Sequence, residues 1–146
     1  MSLPVPKPGL VIRYGFLWSS EKAKGATEGS KDRPCAIVVA IKRAADGDID
    51  TFVAPITHRP PEDSAASIEI PAATCTSLGL ESGRHWLRLD ELNRFAWPGF
   101  DLRPIPGSSD KYAYGMLPRG LFQQLREGIL ARQKERAGRI ISRNEE

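Results

Sequence analysis

Residues 31–40 read KDRPCAIVVA, and residues 53–61 read VAPITHRPP. Each stretch joins an apolar, β-branched run to cationic or hydroxyl side chains at one end, which is typical of a buried strand that ends at a surface. Between them AADGD, residues 44–48, contains Gly47 and predicts the reversal of a β-hairpin. The hairpin brings the polar ends of both strands to one edge of a sheet, and we expect the rest of the fold to form around it.

Further strands are predicted on both sides of this hairpin. Stretches rich in β-branched and aromatic residues, or alternating with period two, cover residues 9–18, 66–71, 84–89 and 112–117. Residues 19–32 are polar and contain two glycines, so we expect a long loop there. Residues 90–99 begin with a helix-capping aspartate and contain Pro98 near their end, which predicts one short helical turn or tight connection.

The pattern changes period after residue 116. Four aliphatic residues recur at four-residue spacing and predict an amphipathic helix: Leu117, Leu121, Leu125 and Ile129. Residues 132–143 hold five basic residues against one acid, and we interpret them as a solvated helix end. Short strands followed by a terminal helix predict a mainly β (α+β) protein, an SH3-like small antiparallel β-barrel with a C-terminal amphipathic helix.

Length and composition indicate one intracellular domain. The chain has 146 residues and a net charge of +3, which is compatible with a polyanionic partner without demanding one. We divide it into a flexible lead-in (1–8), a single barrel domain (9–131) and a basic helix end and tail (132–146). No apolar run approaches the roughly 18 residues needed to span a bilayer. We therefore expect a cytoplasmic protein with no membrane partner.

The familiar enzyme motifs are absent from the sequence. His58 and His85 have no ligand-spaced partners, so we expect neither a metal site nor a cofactor. No serine has the flanking glycines of a nucleophile elbow. Cys35 and Cys75 lie forty positions apart and are interpreted as buried free thiols. The remaining candidates for chemistry are the polar ends of the hairpin strands.

Arg33 precedes Pro34, which favours an extended backbone at the strand entrance. A guanidinium there matches phosphate oxygens in two-point geometry and stays charged at any working pH. In a hairpin centred on Gly47, Arg33 falls roughly opposite residues 60–61, a few residues from Thr57. We therefore expect Arg33 and Thr57 to share one groove.

The residues around Thr57 extend this candidate site. Thr57 could hydrogen-bond a phosphate or ribose oxygen, and strand alternation predicts Arg59 on the same side. His58 is the nearby side chain that exchanges a proton near neutral pH, so it is a candidate acid or base. Lys31 and Arg59 are candidate RNA-binding cations. Three aromatic residues could stack on bases: Trp86, Phe95 and Trp97. We assign Trp86 and Phe95 to a core or dimer interface and leave Trp97 as a candidate RNA contact.

Four segments in order resemble the PemK/MazF family of toxins from toxin–antitoxin modules, and the likeness runs from residue 9 to about residue 132. They read KDRPCAIVV, VAPITHRPP, LGLESGRHWLRLDELNRFAWPG and YGMLPRGLFQQLREGI. In that family the arginine before the proline and the threonine of the IT step serve the reaction, and they match Arg33 and Thr57. The chain departs from the family pattern at Leu10, where an aspartate is usual, and in the first loop.

The resemblance implies a dimeric barrel that cleaves single-stranded RNA at short motifs without metal. A ribose 2′-hydroxyl would attack its own phosphate and leave a cyclic phosphate and a free 5′-hydroxyl, with Arg33 stabilising the developing charge and Thr57 orienting the phosphate or ribose. It also implies a cognate antitoxin protein as inhibitor, and operator DNA bound only through the toxin–antitoxin complex.

Two alternatives of other classes stay open at the level of sequence. One is a non-catalytic toxin-like barrel that binds a protein target such as a topoisomerase, which the altered first loop favours. The other is a nucleic-acid-binding module whose affinity resides in the basic tail from Arg132, with a steep salt dependence as its signature.

Overall fold

The computed structural model of the protein describes residues 3–29, 31–135 and 138–143. Nine strands, three α-helices and one 3-10 helix, Ser64–Ala66, are found in this part of the chain. The strands are β1 (Leu10–Tyr14), β2 (Arg33–Lys42), β3 (Ile49–Thr57), β4 (Ser67–Glu69), β5 (Trp86–Arg88), β6 (Glu91–Ala96), β7 (Leu102–Arg103), β8 (Ala113–Met116) and β9 (Arg139–Ser142). The helices are α1 (Ser19–Ala23), α2 (Ala72–Leu78) and α3 (Arg119–Lys134).

The strands form one mainly antiparallel sheet, which together with the helices confirms the predicted α+β class. The path of neighbours runs β4-β5-β3-β2-β1-β7, with β8 also on β1 and β6 also on β3. Strand β3 thus pairs with β2 along one edge and with β5 and β6 along the other. The pairings of the described strands do not close the sheet into a ring.

The β2–β3 hairpin is confirmed, but its register differs from the predicted one. Lys42 pairs with Ile49, so the turn is centred between positions 45 and 46 rather than on Gly47. A bulge between residues 37 and 39 shifts the pairing by one more residue, and Cys35 pairs with Pro55. Continued two residues further, this register sets Arg33 opposite Thr57, closer than predicted.

Alternation along β1 and β2 divides the core into two clusters. One cluster includes Val11 of β1 and the buried residues of α2 and α3. Leu125 of α3 is fully buried within this cluster. The other lies on the opposite side of the strands and includes Ile12 and Tyr14. Burying a residue such as Leu125 stabilises the fold by about 1.5–3 kcal/mol. As predicted for a strand covered on both faces, residues 35–38 of β2 are buried without a break.

Two of the predicted elements are wrong, and α2 was not predicted. Residues 19–23 form helix α1 inside the predicted long loop, and residues 91–96 form strand β6 instead of a helical turn. Strand β6 was hard to recognise because its inward-facing positions include polar Asn93, which is fully buried. Asn93 Oδ1 accepts from the backbone N–H of Leu17 at 2.8 Å, and its Nδ2 donates to the Leu17 carbonyl at 2.8 Å. A buried amide therefore occupies a place where the strand pattern leads one to expect an apolar residue.

The predicted solvated helix end is found only up to Lys134, and the prediction is wrong for residues 139–142. Helix α3 ends at Lys134, and residues 139–142 form β9, which pairs in parallel with β6. Arg143 follows β9 and is 8% exposed; its Nη1 donates to the Gly15 carbonyl at 2.9 Å and to Asn93 Oδ1 at 3.1 Å, and its Nη2 pairs with Asp101. The bond to Gly15 links the end of β9 to the residues that follow β1. Residues 136, 137 and 144–146 of the predicted tail, and residues 1 and 2 of the lead-in, lie outside the described residues.

None of the helices in the described ranges is both long enough and apolar enough to cross a membrane.

Candidate active site

A cleft lies at the open end of the β2–β3 hairpin, where the two strands present their polar residues. Its volume is about 430 Å³, and we call it the Arg33 cleft. It brings together five of the residues predicted from the sequence, Lys31, Arg33, Thr57, His58 and Arg59. The remaining lining residues that matter below are Trp18, Glu21, Arg88 and Glu91.

Arg33 begins β2 and is half-buried at the centre of this cleft. Its guanidinium carbon lies 5.1 Å from the ring centre of Trp18. Its Nε is buried without a hydrogen-bond partner, and among the described residues no carboxylate forms an ion pair with it. Burial lowers the pKa of Arg33 below its ordinary value, and the charge of Arg59 acts in the same direction. A desolvated cation with an unused donor is costly, and an anion in the cleft would remove that cost.

Thr57 ends β3 and lines the same cleft as Arg33. It is 8% exposed, and its Oγ1 accepts a hydrogen bond from the backbone N–H of Arg59 at 3.1 Å. This bond turns the chain at the end of the strand and leaves the hydroxyl proton of Thr57 free to be donated to a ligand. The side chains of His58 and Arg59 are exposed beyond the turn.

His58 contacts the second histidine of the chain, which the sequence did not predict. Its ring stacks on that of His85, with centroids 5.2 Å apart and an interplanar angle of 16°. His85 is buried, and its Nε2 lies 2.8 Å from the carbonyl oxygen of Glu81. Because a carbonyl only accepts, this Nε2 carries a proton. The stack therefore holds exposed His58 against a buried, anchored ring. No cluster of three or more metal-ligating side chains occurs within the described ranges.

Five residues of the cleft were not identified from the sequence: Trp18, Ser20, Glu21, Arg88 and Glu91. The guanidinium carbon of Arg88 lies 5.1 Å from the Trp18 ring centre, and Arg88 also donates to both carboxylate oxygens of Asp90, each at 2.9 Å. Glu91 accepts from the backbone N–H of Ser19 at 2.9 Å and from its hydroxyl at 2.5 Å. These contacts position Trp18 between strands far apart in sequence, so no local pattern could have revealed them.

Trp97, predicted as a candidate RNA contact, lies elsewhere. Its backbone N–H donates to the carbonyl of Ile49 at 2.9 Å, and its ring is half-buried 6.2 Å from that of Phe95. Ile49 and Thr57 are the two ends of β3, about 27 Å apart at the usual rise per residue. Within one chain, Trp97 is therefore not brought into the Arg33 cleft. Phe95 and Trp86 are buried, as expected for core residues.

A second cleft of about 510 Å³ adjoins the first and shares Lys31, Arg33 and His58 with it. We call it the Tyr114 cleft. Its further walls are largely apolar and aromatic and include Ile56, Leu78, Leu80, His85, Ile105 and Tyr114. Arg13 Nη1 donates to the Tyr114 hydroxyl oxygen at 3.2 Å. Burial raises the pKa of Tyr114, so its phenol keeps its proton at neutral pH.

The cysteines confirm the interpretation as buried free thiols. Cys35 lies two residues after Arg33 and is fully buried, and burial raises the pKa of its thiol far above its usual range. A neutral thiol inside the core is not a nucleophile at neutral pH. The chemistry of the Arg33 cleft therefore rests on its guanidinium, hydroxyl and imidazole groups.

Compared with protein-family models, curated proteins and solved structures, the chain matches none of them.

Proposed function

We propose that the protein is a metal-independent, sequence-selective endoribonuclease that cleaves single-stranded RNA, and that it is the toxin of a PemK/MazF-type toxin–antitoxin module. The observation that carries this proposal is the juxtaposition, in one cleft, of half-buried Arg33 with its unused Nε–H, the hydroxyl of Thr57 and the imidazole of His58. A phosphodiester is the ligand that best matches a desolvated guanidinium beside a hydroxyl donor.

The proposed reaction needs only groups that the cleft provides. The ribose 2′-oxygen forms a bond to phosphorus while the bond from phosphorus to the 5′-oxygen breaks, leaving a 2′,3′-cyclic phosphate. The 2′-hydroxyl loses a proton and the departing 5′-oxygen gains one, and His58 exchanges these protons. Arg33 donates to the phosphoryl oxygens as negative charge develops there. Thr57 donates its hydroxyl proton to the phosphate or ribose, and Lys31 and Arg59 attract the strand.

The proposal extends to architecture and partners. We propose that the bent sheet is an SH3-like barrel, since β3 pairs along both edges with three strands and α3 packs on one side of the sheet. The protein acts as a cytoplasmic homodimer. A cognate antitoxin inhibits it, and operator DNA is bound only through the toxin–antitoxin complex. These expectations follow from the resemblance of the chain to the PemK/MazF family.

End-group analysis tests the nuclease proposal directly. A mixed-sequence single-stranded RNA is incubated with the protein in excess EDTA, beside Arg33→Ala and Thr57→Ala. Discrete fragments with cyclic phosphate ends and free 5′-hydroxyls are expected from the wild type and not from either variant. Intact RNA, with the wild type shown to be folded by circular dichroism, would overturn the proposal.

A non-catalytic, protein-binding role is the second candidate. The observation that favours it is the presence of two carboxylates, Glu21 and Glu91, in the Arg33 cleft, since both repel a phosphate. This role predicts that RNA neither binds nor is cut, whereas the nuclease role predicts that Glu21→Gln increases RNA affinity. A fluorescence titration of labelled RNA with wild type and Glu21→Gln separates the two.

A further inference from the structure

The Tyr114 cleft is the largely apolar cavity that borders the proposed phosphate site. It has about 510 Å³, within the range of small-molecule pockets, and it meets the Arg33 cleft at Arg33, Lys31 and His58. The reaction described above makes no use of its other walls. The two clefts share a cationic border. A phosphate bound to Arg33 would therefore place the sugar and base attached to it at the mouth of the Tyr114 cleft.

The walls of the Tyr114 cleft suit a flat aromatic ligand. Tyr114 contributes a half-buried ring, the stacked pair of His58 and His85 contributes two more, and Ile56 and Ile105 contribute aliphatic surface. Nucleobases have apolar faces that stack on such side chains regardless of sequence. A cleft with aromatic walls beside a guanidinium thus combines the two contacts that a single nucleotide requires.

The rim of the cleft provides groups that distinguish one base edge from another. Arg13 already donates to the Tyr114 hydroxyl oxygen at 3.2 Å, so the phenolic proton is left to be donated. Glu81 also lines the cleft, and its carboxylate offers only acceptors. A donor and an acceptor at fixed places on the rim favour bases whose edge carries the complementary groups.

We propose that the Tyr114 cleft binds the nucleobase of one nucleotide whose phosphate lies on Arg33, and that this base is one position of the sequence preference. The inference rests on the proposed function because it takes single-stranded RNA as the ligand. Tyr114 stacks on the base, the stacked rings of His58 and His85 border it, and the Tyr114 hydroxyl and Glu81 read its edge. The base and phosphate of one nucleotide then bridge the two clefts.

A binding assay with uncleavable RNA tests this proposal separately from catalysis. The probes are fluorescein-labelled 2′-O-methyl RNA oligonucleotides, in which the attacking hydroxyl is blocked, together with a series in which each base in turn is replaced by an abasic residue. Ile105→Trp fills the cleft from its half-buried wall, and Ile41→Trp adds the same bulk at an exposed position at the far end of β2. Tyr114→Ala removes the aromatic wall without filling the cleft.

For the wild type and Ile41→Trp, abasic replacement at one position is expected to weaken binding about tenfold. For Ile105→Trp and Tyr114→Ala that difference disappears, while the remaining positions respond as before. An abasic series that affects Ile105→Trp and wild type equally overturns the proposal. Binding by this pattern, combined with unmodified RNA that stays intact, would sustain the base site and reject the nuclease. If unmodified RNA is cleaved but Ile105→Trp changes the effect of abasic replacement at no position, the nuclease proposal would stand and the base site would be rejected.

Discussion

The two ends of the β2–β3 hairpin carry similar numbers of charged residues but arrange them in opposite ways. At the turn, Arg43 pairs with Asp46 at 3.0 Å and with Asp48 at 3.1 Å, and Arg94 of the adjacent strand pairs with Asp50 at 2.8 Å. At the open end, half-buried Arg33 has no such ion pair among the described residues, and exposed Arg59 lies nearby. Near the turn, Arg43 and Arg94 are thus paired with carboxylates, whereas at the open end Arg33 and Arg59 have no ion pair among the described residues.

This difference indicates which charged residues have partners within the fold and which are available to bind a ligand. Exposed pairs such as those of Arg43 contribute little stability but cost little. A desolvated guanidinium without a partner lowers stability, and natural proteins keep such a group where a ligand compensates for it. The open end is therefore the place at which removing a cation should improve the fold and impair function.

The largest effect is expected from Arg33→Met, which removes the charge and keeps much of the side-chain bulk. RNA cleavage should fall about 100-fold or more because the developing charge loses its donor. The free energy of unfolding should rise by about 1 kcal/mol because a buried cation is replaced by an apolar group. Urea denaturation and initial cleavage rates measure the two changes.

Arg43→Met is the matched control at the turn. It removes an exposed cation whose partners are exposed carboxylates, so cleavage should stay at the wild-type rate and stability should not increase. If Arg33→Met and Arg43→Met change cleavage alike, the contrast between the two ends carries no functional meaning.

The next effect is expected from Thr57→Val, which keeps the shape of the side chain and removes the hydroxyl. Cleavage should fall at least about tenfold because a hydrogen bond to a charged group is lost. Thr57→Ser should retain most of the rate. Thr51→Val is the control within the same strand, since buried Thr51 donates to the Ile49 carbonyl at 3.2 Å far from the cleft. Thr51→Val should lower stability and spare activity; equal rates for Thr57→Val and Thr51→Val would remove Thr57 from the site.

A smaller effect is expected in the salt dependence of RNA binding. Each phosphate neutralised on a single strand contributes about −0.7 to the slope of log K against log salt concentration. Arg59→Ala should therefore reduce the magnitude of the slope by about 0.7 for 2′-O-methyl RNA. Arg43→Ala should leave the slope unchanged. An unchanged slope for Arg59→Ala would show that the strand does not pass along the end of β3.

The smallest effect concerns the pH dependence of stability at the turn. The hydrogen bonds from Arg94 lower the pKa of Asp50 below its ordinary value. Because the folded pKa lies below the unfolded one, Asp50 stabilises the fold above about pH 4 and loses this contribution as the pH falls through its folded pKa. The urea midpoints of wild type and Asp50→Asn should thus differ at pH 7, and the difference should shrink as the pH is lowered below about 4. Midpoints that stay equally far apart at pH 3 would assign the stabilisation to another group.

The periodicity of apolar residues and the turn residues correctly predicted the elements that depend on nearby sequence. The hairpin, helix α3 and the α+β class followed from periodicity, and the candidates Arg33 and Thr57 followed from cations and hydroxyls at strand ends together with the family resemblance. The register was wrong because one bulge and the centring of the turn depend on side-chain packing across strands rather than on the glycine of the turn.

The missed elements depend on contacts between residues distant in sequence. Helix α1 has only five residues, too few to be stable alone, and is held at its first residue by Glu91, 72 positions away. Strand β9 has only four residues and pairs with β6, which lies 48 positions earlier, and Arg143 after it finds its partners only in the folded chain. Trp18 and Arg88 were missed for the same reason: the tertiary structure alone brings them to Arg33.

The bond between Arg143 and Gly15 joins residues 128 positions apart, and it has a consequence for the timing of folding during synthesis. A ribosome makes the hairpin and α3 before it makes Arg143, so the contacts of Arg143 with Gly15, Asn93 and Asp101 form only after the rest of the sheet has been translated. The bonds of Leu17 to Asn93 and of Ser19 to Glu91 do not depend on Arg143 and can form earlier. On this basis the segment from Gly15 to Leu17 should gain its last stabilising contacts only late in translation. Hydrogen exchange on a chain shortened after residue 138 should show protected β2 and β3 amides beside reduced protection at Gly15 and Leu17, whose partners Asp101 and Asn93 lose their bonds to Arg143. Unchanged protection at both amides would exclude this late contribution.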